Sequence, residues 1–216
     1  MRAPLLRCAV ASLLFPLSIL TAQAELQLQV QDAEGNVAPN TVVLVPGYEN
    51  AAPVERVIID QRNLQFQPQV IVAPLGEPVY FPNSDKTRHQ VYSFSSPNNF
   101  ELKLYRQQDA PPVAFDAEGV VELGCNIHDS MKGYIFVTRL SSYGVSNAQG
   151  QLTLPLVPAW PLTLHVWHPL MGTSPPRIIT LSSPTVIRLP VTIDTQPEVQ
   201  PSSLRDRLQR FKKSDD

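Results

Sequence analysis

The chain has 216 residues, with 17 Lys and Arg against 19 Asp and Glu and a formal net charge of −2. That balance leaves no basic stripe and gives nucleic-acid binding no support. Proline is abundant, 22 residues where a share of about 5% is usual, which disfavours long helices and favours short strands joined by shaped turns.

The chain opens on a segment that does not belong to the fold. Arg2 and Arg7 make a basic start, Ala9 to Leu20 an apolar core, and Ala22-Gln23-Ala24 a small-residue cleavage site. This is the layout of a secretory signal peptide. A membrane anchor needs about 20 apolar residues, and Pro16 interrupts a run that is already too short. Cleavage after Ala24 is expected, giving a periplasmic product with no transmembrane segment and a net charge of about −4 once both arginines are lost. Cys8 leaves with this segment, so Cys125 becomes the lone cysteine and no intramolecular disulfide can form. An unpaired thiol in an oxidising compartment is a liability unless it is buried or bonded to a metal.

From Glu25 the pattern alternates. Leu26, Leu28 and Val30 share one face and three glutamines the other, which predicts a half-buried strand. Asp32-Ala-Glu-Gly35 reads as a turn, and Thr41 to Val45 as a second strand. The same turn form returns at Asp116-Ala-Glu-Gly119 and Asn147-Ala-Gln-Gly150, with an Asx residue to bond its own backbone and a glycine to take the left-handed conformation. Asn50 to Pro53 reads as a connector. Strands are expected at Val57–Ile59, Leu64–Phe66, Val70–Ala73 and Val79–Pro82, then at His89–Phe94 after a turn from Asn83 to Arg88, with Phe100–Arg106 as an irregular strand. After Leu140 the alternating style resumes through Leu152-Leu154-Leu156, Leu162–Trp167, Ile178–Leu181 and Val186–Val191. The end, 194–216, reads as a polar linker followed by a short amphipathic helix or a disordered tail.

The chemistry concentrates in Gly124-Cys125-Asn-Ile-His128-Asp-Ser-Met131-Lys-Gly133, a short loop between two strand-like runs. Cys125, His128 and Met131 fall three residues apart, and His89 on a separate strand supplies a second imidazole. A thiolate, two imidazoles and a thioether form a soft, nitrogen-containing donor set of the kind that suits copper. Structural zinc sites favour more thiolates and seldom use methionine, so Met131 points away from zinc. His165 and His168 stand three apart at a strand end, where side chains alternate between faces. They are expected to be packed or hydrogen-bonded beside Trp167 rather than to chelate an ion.

The segments Leu64-Gln-Phe66-Gln-Pro68-Gln-Val70, Gly76-Glu-Pro-Val79-Tyr-Phe81-Pro-Asn83-Ser-Asp85, His89 and Gly124 to Gly133 together resemble a cupredoxin of the plastocyanin/azurin group, with an amicyanin-like Cys-x2-His-x2-Met loop. The whole chain resembles exported cupredoxin-containing proteins of the methylamine-utilisation type. The resemblance implies an all-β fold with a Greek-key cupredoxin β-sandwich over 55–139. It implies one type 1 copper per chain, with His89, Cys125 and His128 in the plane and Met131 as the weak axial ligand, and the edge of His128 as the electron exit. The family usually places an asparagine after its first histidine to brace the ligand loop; here Gln90 stands there, and its amide is expected to do the same. The flanking stretches 25–50 and 141–193 resemble the two parts of a carboxypeptidase-regulatory-like β-sandwich into which the cupredoxin is inserted.

The expected function is that of a one-electron carrier between a redox protein partner (a dehydrogenase) and a cytochrome or oxidase. Copper storage or delivery is the alternative, although three methionines in the whole chain are too few for a Met-rich transfer surface. A structural β-sandwich with a vestigial site is a third reading. No Ser-His-Asp set or paired catalytic carboxylates suggest an independent enzyme.

Overall fold

The computed structural model describes residues 25–48, 56–106, 110–184 and 186–193. The expected signal peptide, the connector at Asn50 to Pro53 and the C-terminal tail lie outside the described residues. The described chain is built from β-strands, with one 3-10 turn at Pro169–Met171.

The described segments on either side of the middle of the chain build one pair of sheets. Strand β1 (Leu26–Gln31) lies between β13 (Gln151–Leu154), antiparallel, and β16 (Val186–Arg188), parallel. Strand β2 (Val42–Leu44) lies between β12 (Tyr143–Val145) and β14 (Leu162–Trp167), and β15 (Arg177–Leu181) closes the far edge. The alternation noted in the sequence puts Leu26, Leu28, Val30, Leu152 and Leu154 on one inner face, against Val43, Leu162, Leu164 and Val166 on the other. Two of the three expected Asx turns close as anticipated. Asp32 Oδ1 accepts the N–H groups of Glu34 and Asn36 with Gly35 at φ +94°, and Asn147 Oδ1 accepts those of Gln149 and Gln151 with Gly150 at φ +71°.

The middle of the chain builds a second pair of layers. Strands β6 (Val70–Pro74), β11 (Lys132–Thr138), β10 (Gly119–Gly124), β8 (His89–Ser93) and β9 (Phe100–Tyr105) form a five-stranded sheet in that order. Opposite it run two small ladders, β3 (Val57–Ile58) with β7 (Val79–Tyr80) and β4 (Asp60–Arg62) with β5 (Gln65–Gln67). Phe66 and Val79 from the small ladders, with Ile59 and Phe81 beside them, pack on Val91, Val121, Leu123, Ile135 and Val137 from the large sheet. Strand β4 was not anticipated, because Asp-Gln-Arg carries no apolar signal; pairing with Gln65–Gln67 across a turn makes it a strand. Strand β12 was missed as well, and it exists through its pairing with β2.

A third apolar layer joins the two sandwiches. Val42, Leu44 and Trp167 on the outer face of the β2–β14 pair meet Val70, Val72, Val120, Tyr134 and Phe136 on the outer face of the five-stranded sheet. The Trp167 ring lies 5.5 Å from that of Tyr134 and 5.9 Å from that of Phe136, and its Nε1 donates to Gly172 O. Strand β11 is therefore buried on both faces, which is why Tyr134-Ile-Phe-Val137 is an unbroken apolar run.

Candidate metal centre

The centre sits at one end of the five-stranded sheet, where β10 passes into β11. Two successive tight turns make the connecting loop: His128 N–H bonds Cys125 O at 3.3 Å, and Met131 N–H bonds His128 O at 2.9 Å. Each turn advances three residues, so the spacing read from the sequence is the period of the turns themselves. Cys125 and Met131 are carried into the core and His128 is left half-buried. His89 arrives from β8, whose alternation turns His89, Val91 and Ser93 inward. Its ring is fully buried.

Three donor atoms converge. His89 Nδ1 lies 3.1 Å from His128 Nδ1, and Cys125 Sγ lies 3.9 Å and 3.7 Å from those two nitrogens. A triangle with these sides has a centre about 2.1 Å from each corner, within the roughly 2.0–2.3 Å span of metal–imidazole and metal–thiolate bonds. His89, Cys125 and His128 thus form a candidate metal site. Met131 is 1% exposed and shares the apolar cluster that contains Cys125, Phe66 and Leu123. Cys125 is a free, buried thiol.

The sequence did not single out Asp85. Its Oδ2 lies 2.8 Å from His89 Nε2, the ring nitrogen on the side away from Cys125. A ring proton on Nε2 would donate to this carboxylate and leave the Nδ1 lone pair for the convergence point. Asp85 is held in turn by the N–H groups of Asn63 at 2.8 Å and Leu64 at 3.0 Å. Both residues are left-handed, with φ of 56° and 58°, in the tight turn between β4 and β5, and this aims their amides at the carboxylate. Partial burial pushes the Asp85 carboxyl up, but the Leu64 N–H, the His89 ring and the Asn63 N–H outweigh it and hold the group below its ordinary value. The signal that was available lay in Asn83-Ser-Asp85, a turn-forming run four residues before a ligand candidate.

Gln90 does not brace the ligand loop. Strand alternation turns it outward, and its Nε2 donates to Glu101 on β9 at 2.6 Å. The amide that steadies the approach to His89 is Asn83, whose Oδ1 accepts from Asp85 N while its Nδ2 donates to Thr87 O and Tyr105 O. On the other side of the loop, the Tyr92 ring occupies the space that a side chain at position 124 would need. A Cβ there would lie 2.6 Å from Tyr92 Cζ, so a side chain at position 124 would have to displace the Tyr92 ring.

His168 and His165 stand apart from the His89, Cys125 and His128 group. His168 is buried; its Nδ1 accepts the Leu170 N–H at 3.2 Å, and burial lowers its pKa although a bond to the Pro39 backbone opposes the shift. His165 sits within β14, opposite Leu44 and Ile178. Among the described residues no helix is long and apolar enough to cross a membrane.

No family model and no curated protein matches the chain. Among solved structures it is similar to a copper-containing nitrite reductase from Thermus scotoductus SA-01, at 25% identity and a TM-score of 0.37 over 43% of this chain and 24% of that one. It is also similar to amicyanin from Paracoccus versutus, at 20% identity and a TM-score of 0.36 over 44% of this chain and 97% of that one. A Cu(I) form of an amicyanin mutant is matched at 14% identity, with a TM-score of 0.36 over 44% and 98% of the two chains. The chain thus spans about a quarter of the nitrite reductase, and each match covers less than half of this chain.

Proposed function

We propose that this protein is an exported one-electron carrier that holds a single type 1 copper ion through His89, Cys125, His128 and Met131. The observation that carries the reading is the convergence of one cysteine sulfur and two imidazole nitrogens, 3.1 to 3.9 Å apart, at the end of a β-sandwich. Bound copper supplies the one-electron change between Cu(I) and Cu(II). The chain's residues do the rest. Strand pairing on both sides of the short loop fixes Cys125 and His128, and the β8 backbone fixes His89, so the donors need not move when the electron arrives. The apolar packing around Met131 and Cys125 keeps water from the thiolate. His128, the half-buried donor, provides the edge that faces a partner, a dehydrogenase on one side of the transfer and a cytochrome or oxidase on the other. The protein works in the periplasm as a carrier rather than as an enzyme. Its place among proteins of the methylamine-utilisation type rests on the sequence resemblance alone.

Visible and EPR spectra with one equivalent of Cu(II) test the reading. A strong blue thiolate-to-copper band with narrow hyperfine splitting is expected, lost in Cys125→Ser and retained with altered intensity in Met131→Leu. A colourless protein that binds only Cu(I), or that binds copper without Cys125, would replace the carrier with a copper-handling protein.

A further inference from the structure

We propose that Asp85 is a positioning residue of the metal centre, one that sets the tautomer of His89 and through it the affinity and potential of the site. The geometry is a relay of three fixed links. The Asn63 and Leu64 amides, aimed by two consecutive left-handed residues, donate to the two carboxylate oxygens of Asp85 at 2.8 and 3.0 Å. The oxygen bonded by Leu64 also accepts from His89 Nε2 at 2.8 Å, and His89 Nδ1 faces Cys125 Sγ and His128 Nδ1. A neutral imidazole carries one ring proton. Holding it on Nε2 frees Nδ1 as a lone pair; moving it to Nδ1 would place an N–H where the donors converge.

Asp85 suits this role for reasons that a neutral side chain would not meet. It accepts three hydrogen bonds on two oxygens, and all three partners are N–H groups. An asparagine of the same shape has one acceptor oxygen. In one orientation its NH2 meets the Asn63 amide, donor against donor; in the other it meets His89 Nε2 and drives the ring proton to Nδ1. The carboxylate also places a negative charge against the back of a buried imidazole, where charge interactions are little screened. That charge favours the more positive oxidation state of an ion held in front. Hydrogen-bond partners behind a metal-binding histidine typically change metal affinity by about 10–100-fold when they are removed.

The inference about the tautomer stands on the apoprotein, whereas its consequence for affinity and potential rests on the copper reading. Two measurements keep them apart. Long-range ¹H–¹⁵N NMR of the metal-free protein locates the His89 ring proton in the wild type, Asp85→Asn and Asp85→Ala. Titration with Cu(I) and Cu(II), followed by voltammetry, gives affinities and potential for the same three proteins. Expected are a proton on Nε2 in the wild type, its partial or full transfer to Nδ1 in Asp85→Asn, a loss of about 10–100-fold in copper affinity in both variants, and a reduction potential shifted upward. A wild-type proton found on Nδ1 overturns the proposal, and that measurement needs no variant to fold. Variants that keep the Nε2 proton, the wild-type affinities and the wild-type potential overturn it equally. A wild type that shows the Nε2 proton but binds no copper refutes the copper reading and leaves the Asp85–His89 link standing.

Discussion

The two sandwiches bury polar groups to different ends. In the sandwich built from the two flanking segments, such groups close the chain's own backbone. Asp32 takes the N–H groups of Glu34, Asn36 and Ile193, while Thr41 and Ser146 both donate to Ala38 O. The central sandwich buries groups of that kind too, Asn83, Ser93 and Ser95 among them, but there His89, His128 and Cys125 also aim their donor atoms at one another. A buried donor set of that kind spends no side chain on local structure, so something else must hold it. That role falls to the Asn63–Leu64 turn, Asp85 and Asn83, and to the packing of the second sandwich on the outer face of the five-stranded sheet. The lesson is one of division. Both sandwiches have an apolar core of their own, and one of them also gathers a candidate site at its end.

The largest effect should come from cutting the layer between them. Trp167→Ala removes a fully buried indole from between Tyr134, Phe136, Val42 and Leu44. It should cost about 3–5 kcal/mol. Chemical denaturation should then split a single transition into two, since each sandwich retains its own core. A single transition at wild-type stability would mean that the third layer contributes little.

Gly150→Ala probes the chain-end sandwich alone. Its φ of +71° disfavours a side chain, and a Cβ would lie 2.6 Å from Val30 O, a backbone atom that cannot swing away. A loss of about 3 kcal/mol in the urea midpoint analysis is expected, with the absorption spectrum of the copper-loaded protein unchanged. A changed spectrum would show that strain crosses from one sandwich to the other.

Gly133→Ala probes the central sandwich. A Cβ there meets Phe66 Cβ at 2.9 Å and its ring at 3.2 Å. Overpacking should cost about 1–3 kcal/mol and should also alter the copper spectrum, because position 133 follows Met131 and Lys132 at the start of β11. Thermal unfolding together with the visible spectrum reads both effects.

The smallest effect is pH-dependent. Burial pushes the Asp32 carboxyl up, yet hydrogen bonds from Ile193 and Asn36 and the Glu34 N–H prevail and lower it from 3.8 to about 2. A folded value below the unfolded one means that the unfolded state binds the proton more readily. The stabilisation is therefore complete above the unfolded value and is lost as pH falls through about 2. The gap in urea midpoint between the wild type and Asp32→Ala should be constant from neutral pH to mildly acid pH and should narrow below about pH 4. A gap that widens with acid would contradict the assignment.

Much of this protein was legible in the order of its residues. Alternation at Leu26-Leu28-Val30 and at Leu152-Leu154 places side chains on opposite faces whatever the neighbours are. Asp32, Asn147 and their glycines close turns by contacts within five residues. The Cys125-x2-His128-x2-Met131 spacing is likewise local, because two consecutive three-residue turns produce it. These features follow from short-range geometry, and short-range geometry is written in the chain. Other features were decided only when distant segments met. Asp60-Gln-Arg62 is a strand because Gln65–Gln67 and Pro82 supply its partners. Gln90 faces Glu101, and not the ligand loop, because β9 lies beside β8. Asp85 became the residue behind His89 because a left-handed turn some twenty positions upstream delivers two amides to it. Hydrogen bonds and packing across the fold depend on distances that sequence separation does not encode, so the donors of the candidate site were readable from the chain while the groups that hold them were fixed by tertiary structure.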